Sequence, residues 1–251
     1  MSGHSKWATI KRKKGKLDAE RGKMFTKAIK EITIAARDGG GDPDGNPRLR
    51  TAVLAAKAVN MPADNIKRAI MKGTGELPGT TYEEHSYEGY GPAGVALYIQ
   101  VLTDNKNRTT SELRHLLTKG GGNMGEAGCV AWMFEQKGLI TIEKSKVEED
   151  RLIELALDAG ADDVNSEEPD AYEVYTPPNS FYAVQKALES AGIPLLNAEL
   201  SRIPQNTIEV SGEKEAEQIL RLMEAVEDHD DVQKVWANFD IAAEILEKIS
   251  K

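Results

Sequence analysis

The sequence predicts an α+β protein of several domains, with a helical N-terminal domain followed by two α/β domains. Three observations predict it. Across residues 17–73, apolar side chains recur at steps of three and four, the spacing of one helix face. Beyond residue 82, short β-branched and aromatic runs alternate with helical ones, the pattern of strand–helix–strand units. The chain, at 251 residues, is also longer than one domain of roughly 150 residues requires.

A helix is expected over 17–38, with Phe25, Ala28, Ile29, Ile32 and Ala36 facing inward. At about 100° per residue, Lys16, Lys23, Lys27, Lys30 and Arg37 share the opposite side. Gly39-Gly40-Gly41 ends that helix, because glycine takes the left-handed closing conformation without steric cost. Asn46-Pro47 supplies a cap and a first-turn proline for a second helix, which turns Leu49, Ala52, Val53 and Ala56 inward. Pro62 opens a third, with Ile66, Ala69 and Ile70 inward and Gly73-Thr74-Gly75 as its stop. These helices form a basic domain over 1–80, closed by a Gly/Pro-rich linker at 73–81.

Strands are then expected at 82–90 and 93–103, turning at Gly91-Pro92. Residues 95–102 are apolar on both faces, as in a central strand. A helix at 108–119 follows, then strands at 129–135 and 139–143, a helix at 147–159, a strand at 172–176, a helix at 179–191 and a strand at 195–202. A strand at 207–210, a helix at 213–227 and a strand at 232–239 complete the pattern before a short C-terminal helix in 241–251. Units of this size make ferredoxin-like, split βαβ sandwiches. Residues 138–203 hold one of them and are read as an insertion into a second, built from 81–137 and 204–240.

Composition narrows the function. Cys129 is the single cysteine, which excludes a disulfide framework and a cysteine-based zinc cluster. No apolar run reaches the roughly 18 residues of a membrane span, and no signal-peptide pattern follows the basic start, so a cytoplasmic protein without a membrane partner is expected. The net charge of −9 is unevenly placed: residues 1–75 carry 17 Lys/Arg against 7 Asp/Glu, and residues 76–251 carry 15 against 34. A head of +10 on a body of −19 suggests a polyanion partner for the head. The competing arrangement is a basic helical head docked on its own acidic body.

Catalytic constellations are missing from the pattern. His4, His85, His115 and His229 are isolated, with none at the i, i+4 spacing of a helical metal pair. Asp42 and Asp44 resemble the opening of a calcium loop, but the acidic residue required further on is absent and a turn is the better reading. The glycine-rich stretch 120–125 lacks the Lys-Ser/Thr ending of a phosphate loop. Cys129 opens an apolar run, as an inert core residue would, and Ser111 and Ser180 have no histidine close in sequence. No catalytic residue, metal ligand, cofactor or small-molecule substrate is expected.

Two features favour binding. The lead gathers Lys6, Lys11, Arg12, Lys13, Lys14 and Lys16 around Trp7. Lysine and arginine neutralise phosphates, and an indole stacks on an unpaired base; alternatively Trp7 anchors the lead to the head. The segment Thr103-Asp104-Asn105-Lys106-Asn107-Arg108-Thr109 ends a strand and begins a helix, where free N–H groups with Lys106 and Arg108 suit an anion. Asp104 or Asn107 acting simply as a helix cap is the alternative.

At these residues a resemblance becomes specific. Met1-Ser2-Gly3-His4-Ser5-Lys6-Trp7, Arg21-Gly22-Lys23, Asp42-Pro43, Asn46-Pro47-Arg48-Leu49-Arg50 and residues 60–66 with Arg68-Ala69-Ile70 resemble the YebC/PmpR family. So do residues 87–92 and Leu102-Thr103-Asp104-Asn105 with Asn107-Arg108-Thr109. The match runs end to end, departing at Cys129, where serine is usual, and at the extra glycine of Gly120–Gly122. The resemblance implies a cytoplasmic three-domain protein without catalytic residues. Members are labelled probable transcriptional regulators that bind DNA, and the family includes mitochondrial translational activators of cytochrome c oxidase that point to the ribosome and to difficult stretches such as consecutive prolines.

The favoured expectation is a ribosome-associated factor on ribosomal RNA; the alternatives are a DNA-binding transcriptional regulator and a protein-interaction module. Lys6, Lys11, Arg12, Lys13, Lys14, Lys16, Lys23, Lys27 and Lys30 are expected to clamp phosphates, with Arg48 and Arg50 as a second row and Lys106 and Arg108 beside a helix start. The α/β domains would present 87–92 and 104–109 on one edge.

Overall fold

A computed structural model describes residues 19–168 and 170–249. Two compact units divide the chain. One comprises the described residues up to Ala131 together with those from Ile208 onward, and the other runs from Trp132 to Thr207.

The first unit begins with three helices, α1 (Ala19–Gly39), α2 (Pro47–Ala58) and α3 (Ala63–Gly73). Asn46 caps α2 by accepting from the Leu49 amide at 3.1 Å, and Pro47 occupies the first helical position, where no amide is needed. Ile32, Ala35 and Ala36 of α1 bury against Leu49, Ala52, Val53 and Ala56 of α2 and Ile66 and Ala69 of α3. Gly73 sets the closeness of α3 to α1: a Cβ there would lie 2.4 Å from the Thr33 carbonyl oxygen and 2.7 Å from the Ala36 Cβ.

The same unit continues into a sheet with strand order β3-β1-β2-β9, formed by β1 (Glu83–Tyr90), β2 (Ala96–Thr103), β3 (Asn123–Met124) and β9 (Val232–Ala237). β1 and β2 pair antiparallel from Glu83↔Thr103 to Tyr90↔Ala96. α4 (Lys106–Lys119) joins β2 to β3 with β1 lying between them, a split βαβ unit. α7 (Glu213–Glu227) precedes β9, and β8 (Ile208–Val210) pairs parallel with β10 (Phe239–Ile241). Val95, Leu97, Ile99 and Val101 pack on Leu113 and Leu117 of α4 and on Ile219, Met223 and Val226 of α7. A final helix, α8, spans Ala243–Ile249.

The second unit is ferredoxin-like. Its order of elements is β4 (Phe134–Glu143), α5 (Glu149–Asp158), β5 (Asp163–Asn165), β6 (Ala171–Thr176), α6 (Phe181–Ser190) and β7 (Asn197–Pro204), with strand order β5-β6-β4-β7. Ile140, Ile142 and Val174 of the sheet bury against Leu152 and Ala156 of α5 and Phe181, Val184 and Leu188 of α6.

Four sequence expectations change, the first being the strand expected at 232–239, which divides at Asn238 into β9 and β10 of different sheets. The strand expected at 129–135 gives way to a turn at Ala131–Met133, and the strand expected at 139–143 lengthens to the single β4. Gly138 is therefore interior to a strand, because β4 must lie against Thr176 and Phe181 with no room for a side chain. The inserted unit is also wider than 138–203, since β4 already pairs with β7 at Phe134↔Pro204.

Candidate nucleic-acid interface

The lysines of α1 run from exposed Lys23 through half-buried Lys27 to buried Lys30, along the end of α7 and the loop after it. Lys23 reaches Asp228 at 3.3 Å, and Lys27 donates to the Glu227 carbonyl one turn later. Lys30 is buried, donating to Asp231 Oδ1 at 2.6 Å and to the Asp230 carbonyl at 2.9 Å, with its ammonium 5.6 Å from the centre of the Tyr82 ring. Three turns of one helix thus bind one acidic loop. The expectation of a solvent-facing stripe is corrected at Lys27 and Lys30, because that part of α1 is itself an interface, while Lys23 stays exposed in a surface pair with Asp228. Arg37, at the end of the stripe, donates to the Tyr82 carbonyl at 2.6 Å and pairs with Asp38.

Asp231 organises that interface from both sides. Its Oδ2 accepts from Thr109 at 2.7 Å, Arg108 at 2.8 Å and Thr103 at 3.2 Å. Burial alone would raise the carboxyl pKa, but hydrogen bonds from Lys30, Thr109 and Arg108 outweigh it and hold Asp231 well below the usual carboxylate range. Arg108 also binds Asp104 at 2.9 Å, and its guanidinium is held charged chiefly by Asp231. The cap of α4 is Asn105, which accepts from the Arg108 amide at 3.1 Å. The segment read as an anion site therefore receives an anion, and that anion is the chain's own Asp231.

Arg48 is equally engaged. It makes a two-pronged contact with Glu31 at 2.8 and 3.3 Å and reaches Glu84 at 2.9 Å. Burial works against its charge, and the two carboxylates more than compensate. Arg50 stays exposed, its guanidinium held by the carbonyls of Pro43 at 3.0 Å and Asp44 at 2.6 Å. Lys106 is exposed in the first turn of α4. Lys6, Trp7, Lys11, Arg12, Lys13, Lys14 and Lys16 lie outside the described residues.

The two motif segments 87–92 and 104–109 meet. Tyr87 Oη lies 2.7 Å from Thr110 Oγ1 and donates to the Lys106 carbonyl at 3.3 Å. One residue on, Glu88 is buried and accepts from the amides of Gly128, Val130 and Ala131, each at 2.7 Å. It fixes the segment carrying Cys129, whose thiol pKa is raised by burial and by the Glu88 charge.

A groove of about 870 Å³ opens beside Lys30, and its walls include Asp104, Glu112, Asp228, Asp230 and Asp231 with Lys23, Arg108 and His115. Glu112, His229 and Asp231 bring their ligand atoms within 4.8 Å of one another. The Asp231 amide donates to His229 Nδ1 at 3.1 Å, and His229 Nε2 sits 2.9 Å from Glu112. That trio does not fit a cation: the Asp231 oxygens already face an ammonium and a guanidinium.

Sequence reasoning missed Asp231, whose sole signal was the acidic run Asp228-His229-Asp230-Asp231 after an amphipathic helix. It also passed over Lys57, Lys67, Arg68 and Lys72, all exposed on α2 and α3. Helical spacing alone marked these as lying away from Leu49, Ala52, Ile66 and Ala69.

Residues 5–76 match the family model described as TACO1/YebC protein N-terminal domain, and residues 82–239 match that described as TACO1/YebC second and third domain. A probable transcriptional regulatory protein of Desulfotalea psychrophila is 57% identical over 251 residues, covering 100% of both chains. Another of that description, from Geobacter sulfurreducens, is 60% identical over 249 residues, covering 99% of this chain and 100% of its own. The crystal structure of a conserved hypothetical protein from Aquifex aeolicus matches with a TM-score of 0.82 and 48% identity, over 91% of this chain and 94% of that one.

Proposed function

Because the chain belongs to the TACO1/YebC family, we propose that it is a non-enzymatic, nucleic-acid-binding regulator of gene expression, acting in the cytoplasm on ribosomal RNA to ease translation through difficult stretches such as consecutive prolines. The observation that carries this reading is the charge division: +10 over residues 1–75 against −19 over the remainder. Although Lys27 and Lys30 of the α1 stripe are absorbed by the body, the six Lys/Arg of the lead, together with exposed Arg50 and Lys106, remain as the sequence-derived phosphate contacts. Lysine and arginine act on phosphates by neutralisation and counterion release, which needs no catalytic group. No helix among the described residues is long and apolar enough to cross a membrane.

Regulation through DNA is the second reading, favoured by the names of the relatives, which are called probable transcriptional regulatory proteins. A duplex reader sets a recognition helix with base-reading side chains into the major groove. The exposed cations of α2 and α3 stand among alanines, leucine and threonine, with Asp64 and half-buried Asn65 as the other polar neighbours at the start of α3, a face that offers more for backbone contact than for base readout. Crosslinking in cells followed by sequencing of the bound nucleic acid tests the proposal. Predominantly ribosomal RNA is the expected result. Discrete promoter fragments would transfer the function to DNA, and background recovery of both would overturn it.

A further inference from the structure

We propose that the outer faces of α2 and α3 form a phosphate-gripping surface for RNA, with Lys57, Lys67, Arg68 and Lys72 as its contacts and Arg50 at its edge. The inference rests on the nucleic-acid reading above and supplies the surface it needs.

The α1 lysines serve that surface poorly. Lys23 and Lys30 are paired with Asp228 and Asp231, and the groove beside them carries five carboxylates, a field that repels a phosphate chain. Arg48 and Arg108 are likewise bound to acidic side chains. Lys57, Lys67, Arg68 and Lys72 differ. All four are exposed, and among the described residues none has a carboxylate oxygen within 4.0 Å.

Local charge favours the same face. Residues 47–73 contain six Lys/Arg and one acidic residue, Asp64. At about 100° per residue, Lys67, Arg68 and Lys72 fall within a wedge of roughly 140° on α3, opposite buried Ile66 and Ala69; exposed Asp64 shares that wedge, which keeps three cations against one carboxylate. Arg50, Leu54 and Lys57 follow one another at steps of four and three on α2, along one side of that helix. The scaffold is rigid where it must be: both helices bury their inner faces on α1, and Gly73 locks α3 close to it. Cations on such a support meet a phosphate backbone with little ordering cost.

The test uses the full chain, in fluorescence anisotropy at stepped salt. Probes are a ribosomal RNA hairpin with a single-stranded loop and a DNA duplex of equal length. Lys57→Ala, Lys67→Ala, Arg68→Ala and Lys72→Ala are combined in one variant. RNA affinity is expected to fall more than about tenfold, and the slope of log K against log salt to shrink by about 0.7 for each single-strand phosphate that is no longer neutralised. A variant that unfolds, judged by its melt, is replaced by Lys67→Glu with Lys72→Glu, for which the same loss is expected. If wild type binds RNA, and replacing Lys11, Arg12, Lys13 and Lys14 with alanine flattens its slope while the α2–α3 variant matches wild type, this surface is refuted and the wider reading stands. If wild type binds neither probe, the wider reading fails first. A loss confined to the duplex overturns the RNA assignment.

Discussion

Lys30 and Asp231 stand 201 positions apart in sequence and meet at 2.6 Å, with both side chains almost wholly buried. Asp231 is shared with Thr103, Arg108 and Thr109, so this one carboxylate ties the helical head to both β2 and α4 of the α/β body of this unit, beside the contacts of Lys23, Lys27, Arg37 and Arg48. Breaking a buried, hydrogen-bonded pair strands the partner charges, at a cost of about 3–5 kcal/mol. Asp231→Ala is therefore expected to lower stability by about that amount in urea unfolding. A loss below about 1 kcal/mol would contradict this role.

Acid should act through the same group. Asp231 titrates well below its ordinary value of about 3.9 when folded, so between those values the unfolded chain binds the proton and the folded chain does not. Its stabilisation is complete above about pH 5 and is lost progressively as pH falls through the unfolded value towards the folded one. Wild type should lose stability more steeply than Asp231→Asn on going from pH 5 to pH 3. Parallel profiles would contradict the assignment.

Gly138 offers a change confined to the inserted unit. A Cβ there would lie 2.3 Å from Thr176 Oγ1 and 2.4 Å from Phe181 Cδ2. Gly138→Ala should destabilise that unit by about 1–3 kcal/mol while leaving RNA affinity in anisotropy unchanged. An unaltered melting temperature would show that the packing gives way without cost.

Glu88 is expected to matter more than a surface acid. Glu88→Ala strands three amides of the 128–131 segment, of which Val130 is fully buried, and should cost about 3 kcal/mol. The segment would loosen with it, so Cys129 should react faster with a thiol reagent. Unchanged labelling kinetics would argue against Glu88 as its anchor.

Much of the architecture was legible because each helix carries its own signal. The Asn46 cap, Pro47 and the inward run Leu49, Ala52, Val53 and Ala56 specify α2 locally, and the structure realises each of them. The α1 stripe was legible as a stripe but not as a contact, since a row of lysines at helical spacing looks alike whether it faces phosphate or Asp231. Distant pairings explain the other misses. Gly138 reads as a break until Thr176 and Phe181 are brought across from it, and Asp231 is an ordinary loop acid until Lys30 and Arg108 reach it. The cations of α2 and α3 were visible as residues; their exposure depended on where α1 lies.

The most direct measurement is co-sedimentation of the purified, nuclease-treated chain with ribosomes over a salt series, with ribosomes stripped of the chain as the acceptor. Binding at low salt is expected to fall away steeply as salt rises, and earlier for a chain lacking its exposed head cations. Retention that ignores both salt and those cations, or no retention at any ionic strength, would contradict it.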